Sequence, residues 1–144
     1  MISVGEIRLT TEGVRYIALF ESLTGATARD CVDEGDRVLY VVRTGDMGLA
    51  IGRNGEHINR VKKSIGKPVE IVEYTDDLET FMKNAAQPAK VVGVERVVRG
   101  GRRIVYVDVP PTEKGLAIGR DGRNIEKMRM LAQRHHNIDD VIIR

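Results

Sequence analysis

The chain has no tryptophan, two phenylalanines and four tyrosines, so 4% of its 144 residues are aromatic. Recognition that stacks nucleobases on strand aromatics needs more rings than that. It has one cysteine, Cys31. A single thiol closes no internal disulfide and offers no partner for a zinc site or a second thiol chemistry. It agrees with a reducing compartment, and in a strand-like stretch it reads as a small buried hydrophobe. No apolar run approaches the roughly 18 residues that a membrane helix needs. The opening MISVGEIRLTTEG has neither the basic start nor the apolar core of a signal peptide. These absences predict a cytoplasmic protein with no membrane partner.

Net charge is also scarce, at +2, but it is unevenly spread. Residues 52–67 carry +4 and residues 119–134 carry +3, which leaves −5 on the rest of the chain. Local basic charge of this kind attracts phosphates. Signs of catalysis are missing. His135 and His136 are adjacent, about 100° apart on a helix, and not the i, i+4 pair of a metal-binding helix; with His57 they read as exposed polar residues. Gly48 and Gly52 fit neither the dinucleotide fingerprint nor the P-loop, and Gly66-Lys67 lacks the upstream glycine and the following Ser or Thr. The expectation is a protein that is not an enzyme, with no cofactor, no metal and no small-molecule substrate.

What the chain does have is a phrase written twice. GLAIGRNG runs from Gly48 to Gly55 and GLAIGRDG from Gly115 to Gly122. A shift of 67 lays residues 48–60 on 115–127 with eight of thirteen positions identical. The flanks match in kind. Strand-like runs, RVLYVV from Arg37 and RIVYVDV from Arg103, precede the two copies, and Tyr40 and Tyr106 are placed as counterparts. Each run follows a turn signal, at Glu34-Gly35-Asp36 or Gly100-Gly101, and an earlier strand, 28–32 or 90–98, which makes a hairpin. A helix is predicted before each hairpin: 11–23, with Val14, Ile17 and Ala18 on one face, and 77–87, with Leu78, Phe81, Met82 and Ala85. After each phrase a helix follows, with Ile58, Val61 and Ile65 or Ile125, Met128 and Ala132 inward, and then a strand at 68–74 or 138–143.

The fold class is therefore α+β, with two modules at 1–75 and 76–144, each a three-stranded sheet packed against helices. The joint near Thr75–Asp76 is short, which favours a fixed relative orientation. Within each phrase the first glycine ends a short helix in a left-handed conformation and the second lets a helix restart. That bend leaves N–H groups of the second helix unpaired, as a phosphate site requires. Arg53 and Arg120 sit at the tips. Gly48 and Gly115 have two readings, close helix packing or close approach by a ligand.

The pattern I-G-x-x-G-x-x-I between helices, fed by a strand, resembles the KH domain, whose GxxG loop clamps four backbone nucleotides. A helix and strand placed before the core resemble the type II arrangement, and two such modules are similar to the KH pair of NusA-like transcription factors, the short archaeal ones above all. That resemblance implies single-stranded RNA as the partner, RNA polymerase as a further one, and a role in transcription elongation or termination. It assigns a first clamp to Gly52, Arg53, Asn54 and Gly55, supported by Arg60 and Lys63. A second clamp falls on Gly119, Arg120, Asp121 and Gly122, supported by Arg123 and Lys127. Asp121 departs from the basic residues such loops often carry. Leu49, Ile51 and Ile58, with Leu116, Ile118 and Ile125, would help form the base-holding groove, although most of these are expected in the core. The alternative is a KH-fold scaffold that docks on polymerase or a ribonucleoprotein, with the acidic stretch Thr75–Glu79 as its contact.

Overall fold

A computed structural model describes residues 9–144. These divide into two compact units, one ending at Thr75 and one starting at Asp76. Each repeats the same order of elements.

The first unit runs α1 (Thr11–Thr24), β1 (Ala28–Asp33), β2 (Val38–Val42), α2 (Met47–Ile51), α3 (Glu56–Ile65) and β3 (Val69–Glu73). Thr10 caps α1 by accepting from the Gly13 N–H, and Gly25 ends it at φ 77°. A side-chain cap and a left-handed glycine are what a helix needs at its two ends. β1 pairs antiparallel with β2, and β2 pairs parallel with β3. Every residue of β2 is buried, as expected of a central strand. Val38, Tyr40 and Val42 project from it onto Phe20 of α1, Ala50 of α2 and Val61 of α3. The Tyr40 ring stacks on Phe20 with centroids 4.3 Å apart, and its hydroxyl donates to the Tyr16 carbonyl. Cys31 is buried, as its setting predicts. Of the face predicted for α1, Ile17 packs against the core, but Val14 and Ala18 are exposed, and the buried positions are Gly13, Phe20 and Thr24. Phe20, the largest apolar side chain of the helix, sets the inward direction.

The second unit runs α4 (Leu78–Ala86), β4 (Gly93–Arg99), β5 (Arg102–Asp108), α5 (Lys114–Ile118), α6 (Arg123–His136) and β6 (Asp140–Ile143). Its sheet has the same order and sense, β4 antiparallel to β5 and β5 parallel to β6. Phe81, Met82 and Ala85 of α4 and Met128, Leu131 and Ala132 of α6 are fully buried, with Val105 and Val107 of β5. The matching of Tyr40 with Tyr106 is corrected here by one residue. Strand side chains alternate between faces, so a slip of one reverses the face. Val107, not Tyr106, holds the inward place of Tyr40; Tyr106 is half-exposed and lies beneath the Arg144 guanidinium, 4.7 Å from its ring centre.

His135 and His136 are not simply exposed. Both rings lie against Phe81, with centroids 5.6 and 5.0 Å away. Among the described residues no helix is long and apolar enough to cross a membrane, and no group of three or more His, Cys, Asp or Glu side chains could hold a metal ion.

Candidate nucleic-acid interface

The two phrases fold into nearly the same bend. α2 stops at Gly52 (φ 75°, ψ 173°), a single 3-10 turn spans Arg53–Gly55, and α3 starts from Gly55 (φ 73°, ψ 16°). In the second unit Gly119 (φ 80°, ψ 168°), the turn Arg120–Gly122 and Gly122 (φ 74°, ψ 15°) repeat it. The first glycine of each is not in the left-handed helical region that the sequence suggests. It lies at positive φ with an extended ψ, a region open to glycine almost alone. Space forbids a side chain there as well. A Cβ on Gly52 would fall 2.6 Å from His57 Cγ, and one on Gly119 would fall 2.7 Å from the Asn124 backbone nitrogen.

The third loop position is left-handed in both copies, with Asn54 at φ 57° and Asp121 at φ 55°. Asn and Asp are the residues other than glycine that visit this region most readily. The acid at Asp121 is thus explained by backbone shape. The loops also close on themselves. The Gly55 N–H donates to the Gly52 carbonyl and the Glu56 N–H to that of Arg53; Gly122 and Arg123 do the same with Gly119 and Arg120. Of the N–H groups of the second helix expected to point outward unpaired, the first in each copy, Glu56 or Arg123, is used inside the turn.

The predicted site residues separate into two groups. Arg53 and Arg120 stand exposed at the loop tips beside Asn54 and Asp121. Lys63 is exposed on α3, and Arg123 is exposed on the first turn of α6. Arg60 is exposed but paired with Glu56 one turn earlier. Lys127 departs from its predicted place. It is 2% exposed, and its ammonium donates to the Gln87 carbonyl at 2.9 Å. That carbonyl closes the end of α4, where a cation meets the negative end of the helix dipole. Lys127 therefore holds α6 to α4 and leaves the surface.

The aliphatic groove residues are also corrected. Leu49 (48%), Ile51 (40%), Leu116 (48%) and Ile118 (46%) are exposed, and only Ile58 and Ile125 belong to the core. Four large apolar side chains in solvent, at matching places beside two loops, are the kind of feature that marks a binding surface. Gly48 and Gly115 lie on the same short helices, and a Cβ added to either would meet nothing within 4 Å. Close helix packing is therefore not their purpose.

Two pairs of residues that the sequence did not mark as part of the site position the bend. His57 Nδ1 approaches the Leu49 carbonyl at 2.6 Å, and a carbonyl only accepts, so Nδ1 carries the proton. Asn124, its counterpart 67 residues on, donates from Nδ2 to the carbonyls of Ala117 and Ala86 at 3.1 and 2.9 Å. Each ties the helix after the loop back to the short helix before it. At the other end of that short helix, Asp46 accepts from the Thr27 N–H at 2.8 Å and Glu113 from the Lys90 N–H at 2.9 Å. The Thr27 N–H, with the Arg43 guanidinium, holds the Asp46 carboxyl below the usual carboxylate range against the opposing effect of burial. Asp46 and Glu113 are also 67 apart, so the signal was present just outside the matched window.

Two bends of this geometry, each set between parallel strands of a three-stranded sheet and preceded by a helix and a strand, define a tandem of type II KH domains. The sequence comparisons agree. A family model for the KH domain matches residues 14–109, and one for the NusA-like second KH domain matches residues 78–143. The chain belongs to the KH-domain family, in its NusA-like branch. It is similar to the "Probable transcription termination protein NusA" of Halobacterium salinarum, with 44% identity over 135 residues, 94% of this chain and 96% of that protein. The protein of the same description from Methanocaldococcus jannaschii is 33% identical over 140 residues, 96% of this chain and 75% of that one. A solved structure, "Crystal structure of APE1850", is similar with a TM-score of 0.82 and 38% identity, covering 94% of this chain and all of the other.

Proposed function

We propose that this protein is an RNA-binding factor of transcription termination or elongation, which holds single-stranded RNA in two GxxG clamps. The observation that carries the reading is the duplicated bend: both loops require glycine by conformation and by space, present an arginine at the tip, and stand beside exposed aliphatic side chains. Phosphates meet Arg53 and Arg120, while unpaired bases lie against Leu49 and Ile51 or Leu116 and Ile118. A duplex hides the base edges that such a groove would read, so single strands bind better. The description of the archaeal relatives as probable transcription termination proteins supports the process and makes RNA polymerase the natural protein partner. It also suits a cytoplasmic setting.

The test is affinity for one single-stranded RNA at several salt concentrations. In one variant Arg53 and Asn54 become Asp, and in another Arg120 becomes Asp. Asp121 shows that Asp fits the left-handed third position, so the fold survives, and circular dichroism checks that. Losing one charge-assisted contact costs about 1.5–3 kcal/mol. It also flattens the salt slope by about 0.7 unit per contact on a single strand. The first variant loses more, because Asp121 already weakens the second clamp. Folded variants with undiminished affinity would falsify the clamp assignment and leave the scaffold reading.

A further inference from the structure

The two units share one fold, yet their hairpins carry opposite charge. The first hairpin turns through Asp33, Glu34, Gly35, Asp36 and Arg37, and its charges are satisfied locally: Arg37 pairs with Glu34 and Glu70, and Lys67 pairs with Asp33. The second hairpin holds Arg96, Arg99, Arg102 and Arg103 against Glu95 and Asp108, and neither acid is at the turn. Its turn is Gly100-Gly101, both at positive φ, as a two-residue type I′ connection requires. The register then sets Arg99 directly opposite Arg102. Facing residues of an antiparallel pair share one side of the sheet, and like charges placed so are destabilising. Both arginines are exposed, and among the described residues no ion pair involves either one. Nearby acids are engaged elsewhere: Glu95 and Asp108 pair with Arg144, and Asp139 pairs with Arg103 and feels Arg102 only at longer range.

We infer that the tip of the β4–β5 hairpin is an additional binding site for the phosphodiester backbone of single-stranded RNA, with Arg99 and Arg102 as its phosphate contacts. The fold does not need this charge, since the first hairpin is built without it. An unrelieved arginine pair at an exposed tip is complementary to a polyanion, and a bound phosphate removes the repulsion between the two guanidiniums. An arginine fork also matches phosphate geometry. The inference rests on the RNA-binding reading above.

The experiment uses the full chain and a fluorescent single-stranded RNA about three times the roughly four nucleotides that one clamp covers. Binding is followed by anisotropy between about 50 and 200 mM salt. R99Q/R102Q is expected to lower affinity about tenfold at the low-salt end and to flatten the slope by about 0.7 per lost contact. R99E gives a control on stability. It places opposite charges across the strand pair, so its melting temperature rises while its RNA affinity falls. A merely structural role would move the two readouts together. Unchanged affinity and slope in R99Q/R102Q, with wild-type binding intact, overturn the hairpin site and assign the patch to an acidic protein surface instead. Absence of salt-dependent RNA binding by the wild-type chain overturns the underlying reading as well, and the two failures are distinguishable.

Discussion

At the scale of the residue, glycines of one phrase have opposite sensitivities. Gly52→Ala and Gly119→Ala meet both a forbidden backbone region and a contact under 3 Å, and each is expected to cost about 1–3 kcal/mol or more. Gly48→Ala and Gly115→Ala add a methyl group to open space in a helix and are expected to stabilise by up to about 1 kcal/mol. Urea unfolding of the four variants checks both signs, and RNA titration of the second pair shows whether the missing Cβ keeps the short helix open to ligand. Asp121→Asn keeps the left-handed residue and copies the first loop. Removing a charge about 4 Å from a phosphate is worth about 1 kcal/mol in a water-like dielectric, so affinity should rise roughly fivefold. Lys127→Met should behave otherwise. It leaves the Gln87 carbonyl without this donor, lowers stability by about 1–3 kcal/mol, and leaves the salt slope of RNA binding unchanged.

At the scale of the element, the sequence carried most of the architecture, because hydrophobic period and turn residues are local signals. The strands and helices lie where the alternation and the glycines put them, and the 67-residue shift located both bends. Depth was less legible. Lys127 looks like any basic helix residue until α4 is packed against α6, and Tyr106 looks like Tyr40 until the register reverses its face. Leu49 and Ile51 read as core because composition cannot say that a five-residue helix has too little partner surface to cover them. The anchoring of those short helices leads to a pH prediction. A carboxyl whose folded value is depressed adds stability that is present above its unfolded value, about 3.9, and is lost as pH falls through the folded value. Asp46, Asp77, Asp108 and Asp139 are all depressed, by Thr27, Thr80, Arg144 and Arg103 respectively as first cause. The melting temperature should stay level from about pH 7 to 5 and drop below about pH 4. Asp46→Asn should make that drop shallower, since its contribution is already gone at neutral pH.

At the scale of the whole molecule, the proposed function puts two clamps on one chain, which would make the second contact with an RNA intramolecular. Overall affinity then exceeds that of one clamp without any new contact, provided one strand reaches both. Oligomers of about eight nucleotides or more should bind more tightly than tetramers, since each clamp covers roughly four. Equal affinity for tetramers and ten-mers would mean that the clamps act singly. The parallel pairing of Val38 with Val69, and of Val105 with Val141, has a kinetic consequence of its own. In each unit the strands joined this way are separated in sequence by the two helices and their bend, so the sheet cannot close until that whole connection is in place. The last strand and the bend should then form in one step and open in one step. Amide exchange in β2, α3 and β3 should share a single protection level, as should that in β5, α6 and β6, while the exposed loop tips exchange freely. A bend built as the link of a parallel crossover should lose its shape only when its whole unit unfolds.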